Sequence, residues 1–121
     1  MAATLGERFA EALAAKDFER AGGLLDPEVD FRALTPSRAW EASGADQVVS
    51  DILPLWLEES DHVDGLLEVE SGRVADRERV AYLFRVHNDD GDFLVEQQAY
   101  YDERDGRIAW MRILCSGFRP A

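Results

Sequence analysis

Cysteine is nearly absent, with Cys115 standing alone in 121 residues. A single thiol excludes an intrachain disulfide and any thiolate cluster for zinc, which needs several ligands at defined spacing. A reducing cytoplasm is therefore the expected compartment. Basic charge is scarce as well: 13 Lys and Arg stand against 25 Asp and Glu, a formal net charge of −12. Such a field repels phosphate backbones and anionic membranes, so neither nucleic acid nor a membrane is an expected partner. The carboxylates are dispersed, which reads as a solvated surface and not as an acidic tail. Long apolar runs are missing too. Met1 to Ala15 carries Glu7, Arg8 and Glu11 inside its apolar pattern, so it reads as neither a signal peptide nor a membrane span. No nucleotide-binding glycine loop or hydrolase elbow is found.

What remains is a globular chain with 46% apolar residues, enough for one hydrophobic core and one domain over 1–121. Thr4 and Glu7 have the spacing of a capping box, and Leu5, Phe9, Ala12 and Leu13 follow on one helical stripe to about Ala15. Asp17 can cap a second short helix bearing Phe18, Ala21, Leu24 and Leu25, which Asp26 and Pro27 stop. Val29 to Leu34 reads as a short strand, Thr35-Pro36-Ser37 as a turn, and Arg38 to Glu41 as a loop-rich stretch containing Trp40. Ser43 starts a third helix with Val48, Val49, Ile52, Leu53 and Trp56 on one side, which Pro54 should kink or shorten.

From His62 onward the apolar period changes to two, giving strands at about 62–71, 74–87, 92–103 and 107–116. The breaks fall at Ser71-Gly72, Asn88-Asp89-Asp90-Gly91 and Asp105-Gly106. The predicted architecture is α+β, with amphipathic helices preceding a meander of antiparallel strands. The last hairpin tests the register. A two-residue Asp105-Gly106 loop would pair Ala99 with Arg112, mixing charge into the apolar row. A three-residue loop of Arg104, Asp105 and Gly106 pairs Ala99 with Met111 and Gln97 with Ile113, and is preferred. The inner face then carries Val95, Gln97, Ala99 and Tyr101 beside Cys115, Ile113, Met111 and Ala109, with Tyr82, Phe84 and Val86 from the neighbouring strand. On the outer face Leu66, Leu83, Tyr100, Trp110 and Leu114 would form an apolar patch, which suggests a homodimer packed through it. Scattered surface hydrophobes are the alternative.

The order of these elements, with Arg8-Phe9, Ala12-Leu13 and Asp17, then Leu24-Leu25-Asp26-Pro27-Glu28-Val29, then Asp105-Gly106-Arg107-Ile108 and Met111-Arg112, resembles the nuclear transport factor 2-like superfamily over nearly the whole chain. In general appearance it is most similar to the small polyketide-cyclase-like (SnoaL-like) proteins. The resemblance implies a cone-shaped, curved antiparallel sheet wrapped around the N-terminal helices, with a deep apolar pocket that members use as cyclases, dehydratases, isomerases or binding modules. The tail also resembles that of the ketosteroid isomerase branch. The positions of that branch's tyrosine, general-base aspartate and protonated aspartic acid fall here on Phe9, Phe31 and Ala99, which removes the groups its proton shuttling needs.

The candidate ligand-binding residues are Phe9, Phe31, Trp40, Trp56, Tyr82, Phe84, Gln97, Tyr101, Met111 and Cys115: a few polar groups in an apolar cavity, suited to a small hydrophobic or aromatic molecule. Tyrosine rings in the core with hydroxyls at water are the competing reading. Trp40 either walls the pocket mouth or packs on the third helix. Cys115 lacks a base on its face and reads as a small buried hydrophobe. A one-residue slip would instead turn Arg85, His87, Glu96, Gln98 and Arg112 inward, with His87 and Glu96 as an acid–base pair. No cofactor is implied. The acidic groups near His62 and at Asp89, Asp90 and Asp92 do not complete a metal-ligand pattern. Three functions stay open: a small-molecule-binding protein, a cyclase-, dehydratase- or isomerase-like enzyme, and a dimerisation module with a filled core.

Overall fold

The computed structural model describes residues 3–121, so the first two residues of the expected 1–121 domain lie outside the described residues. Helix α1 (Leu5–Ala14) begins at the capping box read from the sequence. The Glu7 N–H donates to Thr4 Oγ1, and the Thr4 N–H donates to Glu7 Oε1 at 3.0 Å. Asp17 caps α2 (Phe18–Gly23) by accepting from the Arg20 N–H. Strand β1 (Leu25–Thr35) is longer than the expected 29–34, and Arg38–Ser43 is a strand, β2, where a loop was expected. The two pair antiparallel from Thr35↔Arg38 to Asp30↔Ser43, so the Trp40 stretch is tied into the sheet by backbone bonds that local composition does not reveal.

The third helix begins after Gly44 and not at Ser43, which is the last residue of β2. Gly44 has φ +110°, and a Cβ there would meet the Pro27 carbonyl oxygen at 2.9 Å, so this corner requires glycine. The helical segment runs as α3 (Ala45–Gln47), a π-helical turn (Val48–Ile52) and α4 (Leu53–Trp56). Pro54 has no N–H to send back along the helix. The segment widens just before it, the Leu53 N–H reaching the Val48 carbonyl.

Strands β3 (His62–Val74), β4 (Arg77–Asn88), β5 (Gly91–Arg104) and β6 (Arg107–Cys115) form the expected meander, and a short β7 (Arg119–Pro120) rejoins β5. The sheet order is β2-β1-β6-β5-β4-β3, mixed and mostly antiparallel, because β1 runs parallel to β6. The first hairpin turns at Ala75 and Asp76, with Ala75 at φ +54°. Ser71 and Gly72 instead stay in β3, paired with Val80 and Arg79.

The last hairpin departs from its expected register in an instructive way. Its loop is the two-residue Asp105-Gly106 turn, both residues at positive φ, with Arg104 opposite Arg107. An irregularity then places Glu103 opposite Ile108 and Asp102 opposite Trp110, leaving Ala109 unpaired. Such a bulge shifts the pairing by one residue. Ala99 therefore faces Ile113, and Tyr101 faces Met111, so the row is displaced by two from the expected partners while every side chain keeps its expected face. The exception lies at the bulge, where Ile108 is fully buried and Ala109 only half-buried.

The inner face packs against α1, α2 and the third helical segment around a core that includes Phe9, Phe31, Tyr82, Phe84, Tyr101 and Met111, all essentially inaccessible. Helix α1 lies close on the sheet because Gly6 lacks a side chain: a Cβ would stand 2.7 Å from Tyr101 Cε1 and 2.8 Å from Val80 Cβ. At that contact the Gly6 N–H donates to Tyr101 Oη at 3.0 Å. A tyrosine 95 residues away thus satisfies one of the N–H groups that a helix start leaves unpaired. Glu7 adds a second tie, accepting from the Ser71 hydroxyl at 2.6 Å.

Two stability effects follow. Tyr101→Phe leaves the Gly6 N–H buried without an acceptor and lowers the unfolding free energy by about 1–3 kcal/mol, measurable by urea denaturation. Gly6→Ala costs more in the same measurement, because the new methyl meets the sheet. The hydrogen bonds from Ser71 and the Thr4 N–H hold the Glu7 carboxyl below its ordinary 4.5. Its contribution to stability is therefore complete above the unfolded value and is lost as pH falls through the folded one. Glu7→Gln should flatten the fall in stability below about pH 4.5.

Candidate functional site

Three side chains lie side by side across the inner face where β4, β5 and β6 meet: Tyr82 pairs with Gln97, and Gln97 with Cys115. Tyr82 Oη donates to Gln97 Oε1 at 2.6 Å. Burial pushes the Tyr82 pKa well above its ordinary 10.0, so the hydroxyl keeps its proton and remains a donor. The next row pairs Phe84 with Val95. From the other side, α4 and the residues after it bring Leu53, Leu55, Trp56 and Leu57 over this part of the sheet, and α1 adds Leu13.

Between these two layers lies a cavity of about 200 Å³. Its remaining walls come from the tip of the β1–β2 hairpin, through Thr35 and Trp40, and from Gly117 and Phe118 after β6. Gly117, at φ +73°, permits that crossing: a Cβ there would stand 2.7 Å from Pro36 Cγ. Trp40 is held on both sides, its Nε1 donating to Thr35 Oγ1 at 2.8 Å and the Arg38 guanidinium lying 3.6 Å over its ring. It meets Trp56 edge-on at 6.1 Å, and Trp56 in turn contacts Phe31. The Trp56 indole N–H is buried and, among the described residues, has no hydrogen-bond partner. An unpaired buried donor is disfavoured by about 1–3 kcal/mol.

Of the ten residues expected to bind ligand, the structure brings Trp40, Trp56, Phe84, Gln97 and Cys115 together on this wall. Phe9, Phe31, Tyr82, Tyr101 and Met111 lie in the surrounding core and not on it. Tyr101 spends its hydroxyl on Gly6, and Tyr82 touches the site through Gln97. The Leu53 to Leu57 stretch was visible only as the apolar side of a helix, and Phe118, beyond the last long strand, carried no periodic signal.

Among the described residues no charged side chain lines the cavity. Arg85, His87, Glu96 and Gln98 are exposed on the outer face, and Arg112 is half-buried there with its guanidinium 3.1 Å from Asp30. His87 pairs with Asp64 at 2.7 Å and stacks on His62, so no His87–Glu96 pair forms. Among the described residues no three His, Cys, Asp or Glu side chains are grouped to hold a metal ion. No described helix is long and apolar enough to cross a membrane. The outer patch differs from its expected form at Leu66. Two irregularities in the β3–β4 ladder turn Leu66 toward the core and leave Leu67 exposed.

No protein-family model matches the sequence, and no curated protein matches it. Solved structures do. An NTF2-like protein from Burkholderia thailandensis superposes with a TM-score of 0.68 at 14% identity, over 93% of this chain and 88% of the other. The chain has the nuclear transport factor 2-like fold. A polyketide cyclase candidate from Xanthomonas campestris pv. campestris gives a TM-score of 0.68 at 18% identity, covering 91% and 86%. A protein with a ketosteroid isomerase-like fold from Catenulispora acidiphila, solved with trimethylamine, gives 0.69 at 14%, covering 96% and 88%. In this chain the positions equated with the isomerase branch's acid and base groups, Phe9, Phe31 and Ala99, are fully buried apolar residues.

Proposed function

We propose that the protein binds a small, hydrophobic or aromatic molecule in the cavity between the sheet and α4. The observation that carries this reading is the composition of the wall: among the described residues it holds aromatic and aliphatic side chains with a neutral carboxamide, one hydroxyl and one thiol, and no carboxylate, imidazole, amine or guanidinium. Binding sites for apolar molecules have this character, with few polar groups that fix orientation. Proton-transfer chemistry needs a positioned acid or base, and no described lining residue carries a carboxyl, an imidazole or an amine. That favours a binding protein over a cyclase- or isomerase-like enzyme. The volume sets a size, since an apolar cavity of about 150 Å³ admits benzene, while drug-sized ligands take about 300–1,000 Å³. One substituted ring fits about 200 Å³.

A homodimer through the outer sheet face is part of the same proposal. A groove of about 590 Å³ crosses that face, with Leu34 and Leu114, 55% and 59% exposed, among its lining residues. Arg32 and Arg112 beside it are matched by Glu41 and Asp30 at 3.1 Å each. Although the chain carries a net −12, the charges at this groove are matched in pairs, so a second copy can approach here with less repulsion than a net acidic surface would impose.

In a thermal-shift screen, monocyclic aromatic compounds should raise the melting temperature in a concentration-dependent way, and Val95→Phe, which fills the cavity, should abolish the shift. No shift across the panel would overturn binding and favour a filled core. By sedimentation velocity the protein should run as a dimer at micromolar concentration and Leu114→Glu as a monomer. A monomeric parent protein would remove the dimer.

A further inference from the structure

The polarity of the cavity resides in one pair of side chains. Gln97 is 4% exposed on the inner face. Its carboxamide oxygen is taken by the Tyr82 hydroxyl, so the group it has left to offer is the amide N–H₂. No described group accepts from Gln97 Nε2, yet this atom is not among the buried polar atoms closed off without a partner, which among the described residues are represented by Trp56 Nε1 alone. Gln97 is itself a lining residue of the cavity. Of the other polar groups of the described wall, the Trp56 indole N–H is closed off from the space, and Thr35 and Cys115 are engaged. Thr35 Oγ1 accepts from Trp40 and donates to the Arg38 carbonyl, and Cys115 Sγ accepts from the Gly117 N–H.

We infer that Gln97 selects a neutral, single-ring ligand bearing a hydrogen-bond acceptor, an aryl ketone being the simplest case, and that Tyr82 is the positioning residue that keeps its donor side toward the ligand. This deepens the proposed binding function and rests on it. A flipped carboxamide would turn its oxygen to the cavity and its N–H to Tyr82 Oη, which can accept it, but the Tyr82 proton would then lack an acceptor. Burial makes that costly, because a buried O–H without an acceptor has no water to replace it. The Tyr82–Gln97 bond therefore encodes a preference for acceptors over donors without placing a charge in the cavity. Neutrality follows from the same wall. A cation would find no carboxylate there and an anion no guanidinium, and either would be desolvated without a counter-charge.

The test uses three neutral probes of similar size: acetophenone, which accepts; isopropylbenzene, which does neither; and N-methylaniline, which donates. Dissociation constants are measured by titration calorimetry on the parent protein, Gln97→Met and Tyr82→Phe, with melting temperatures recorded alongside. The parent protein should bind acetophenone about tenfold more tightly than the other two, the worth of one satisfied hydrogen bond. Gln97→Met should erase that preference while retaining isopropylbenzene. Tyr82→Phe frees the carboxamide to turn, so the acetophenone to N-methylaniline ratio should fall while isopropylbenzene binding is kept, a change in selectivity that a general loss of stability would not produce. Equal affinities of the parent protein for all three probes would overturn acceptor selection and leave the binding function standing. An unchanged ratio in Tyr82→Phe would remove Tyr82 from its positioning role. Binding of none of the three would overturn the binding function and this inference with it.

Discussion

Much of the interior depends on the parity of one ladder. Between β5 and β6 a two-residue turn would by itself place residues of opposite character side by side, and a single unpaired residue, Ala109, corrects it. Because side chains alternate along a strand, a shift of one exchanges the faces and a shift of two restores them. The turn and the bulge together put Gln97, Ala99, Tyr101, Met111 and Ile113 inside, and Glu96, Gln98 and Arg112 outside. The alternative parity would bury charges that have no partners among the apolar faces of α1 and α4, a cost far above that of one bulge. Tyr101 can reach Gly6, and Gln97 can reach the cavity, only because this count comes out even.

The same parity explains how much of the fold was legible in the sequence. Strand faces follow from apolar alternation, and alternation survives an error of two in the pairing, so the inner row was readable while its partners were not. Helix α1 was readable because its capping box is local, with both hydrogen bonds closing within three residues. Contacts that depend on distant chain were not. Strand β1 is held on one edge by the distant β6, and pairing on its other edge makes Arg38–Ser43 a strand where a loop-rich stretch was expected over Arg38 to Glu41. Ala75 accepts a left-handed turn while Gly72, the better local candidate, stays extended, because the β3–β4 ladder gains more pairs from the later turn.

The candidate site shows the same division. Every aromatic residue on the inner face looks alike in sequence, and what separates Phe84 on the cavity wall from Phe31 in the packed core is where the helices fail to cover the sheet. That is decided by the path of the segment from Gly44 to Leu57. The π-helical turn and Pro54 interrupt the helix, and leucines of α4 and the residue after it, with Trp56, then enclose one side of a space that the sheet encloses on the other. Tyr82 and Tyr101 also diverge for nonlocal reasons. Both are inward-facing tyrosines with buried rings, but one hydroxyl finds a helix N–H and the other finds a carboxamide.

A buried carboxamide is an odd choice for a cavity otherwise made of hydrocarbon, since an apolar residue of similar volume would fold at least as well. Its presence is reasonable if the group does something an apolar residue cannot. Half of its capacity is consumed in the bond to Tyr82, which stabilises the fold whether or not anything is bound. In the proposed reading the other half is left for an acceptor on the ligand. On that reading the folded protein holds a hydrogen-bond donor in an apolar pocket, its direction set by a hydroxyl that keeps its proton. Such a donor is worth more to an incoming acceptor than the same group in water, because its orientation is already set and little solvent must be displaced from it. The net charge of −12 is not carried by the described cavity lining, and the long-range field neither helps nor hinders a neutral ligand. Under the proposed function, recognition falls to shape and to this single donor.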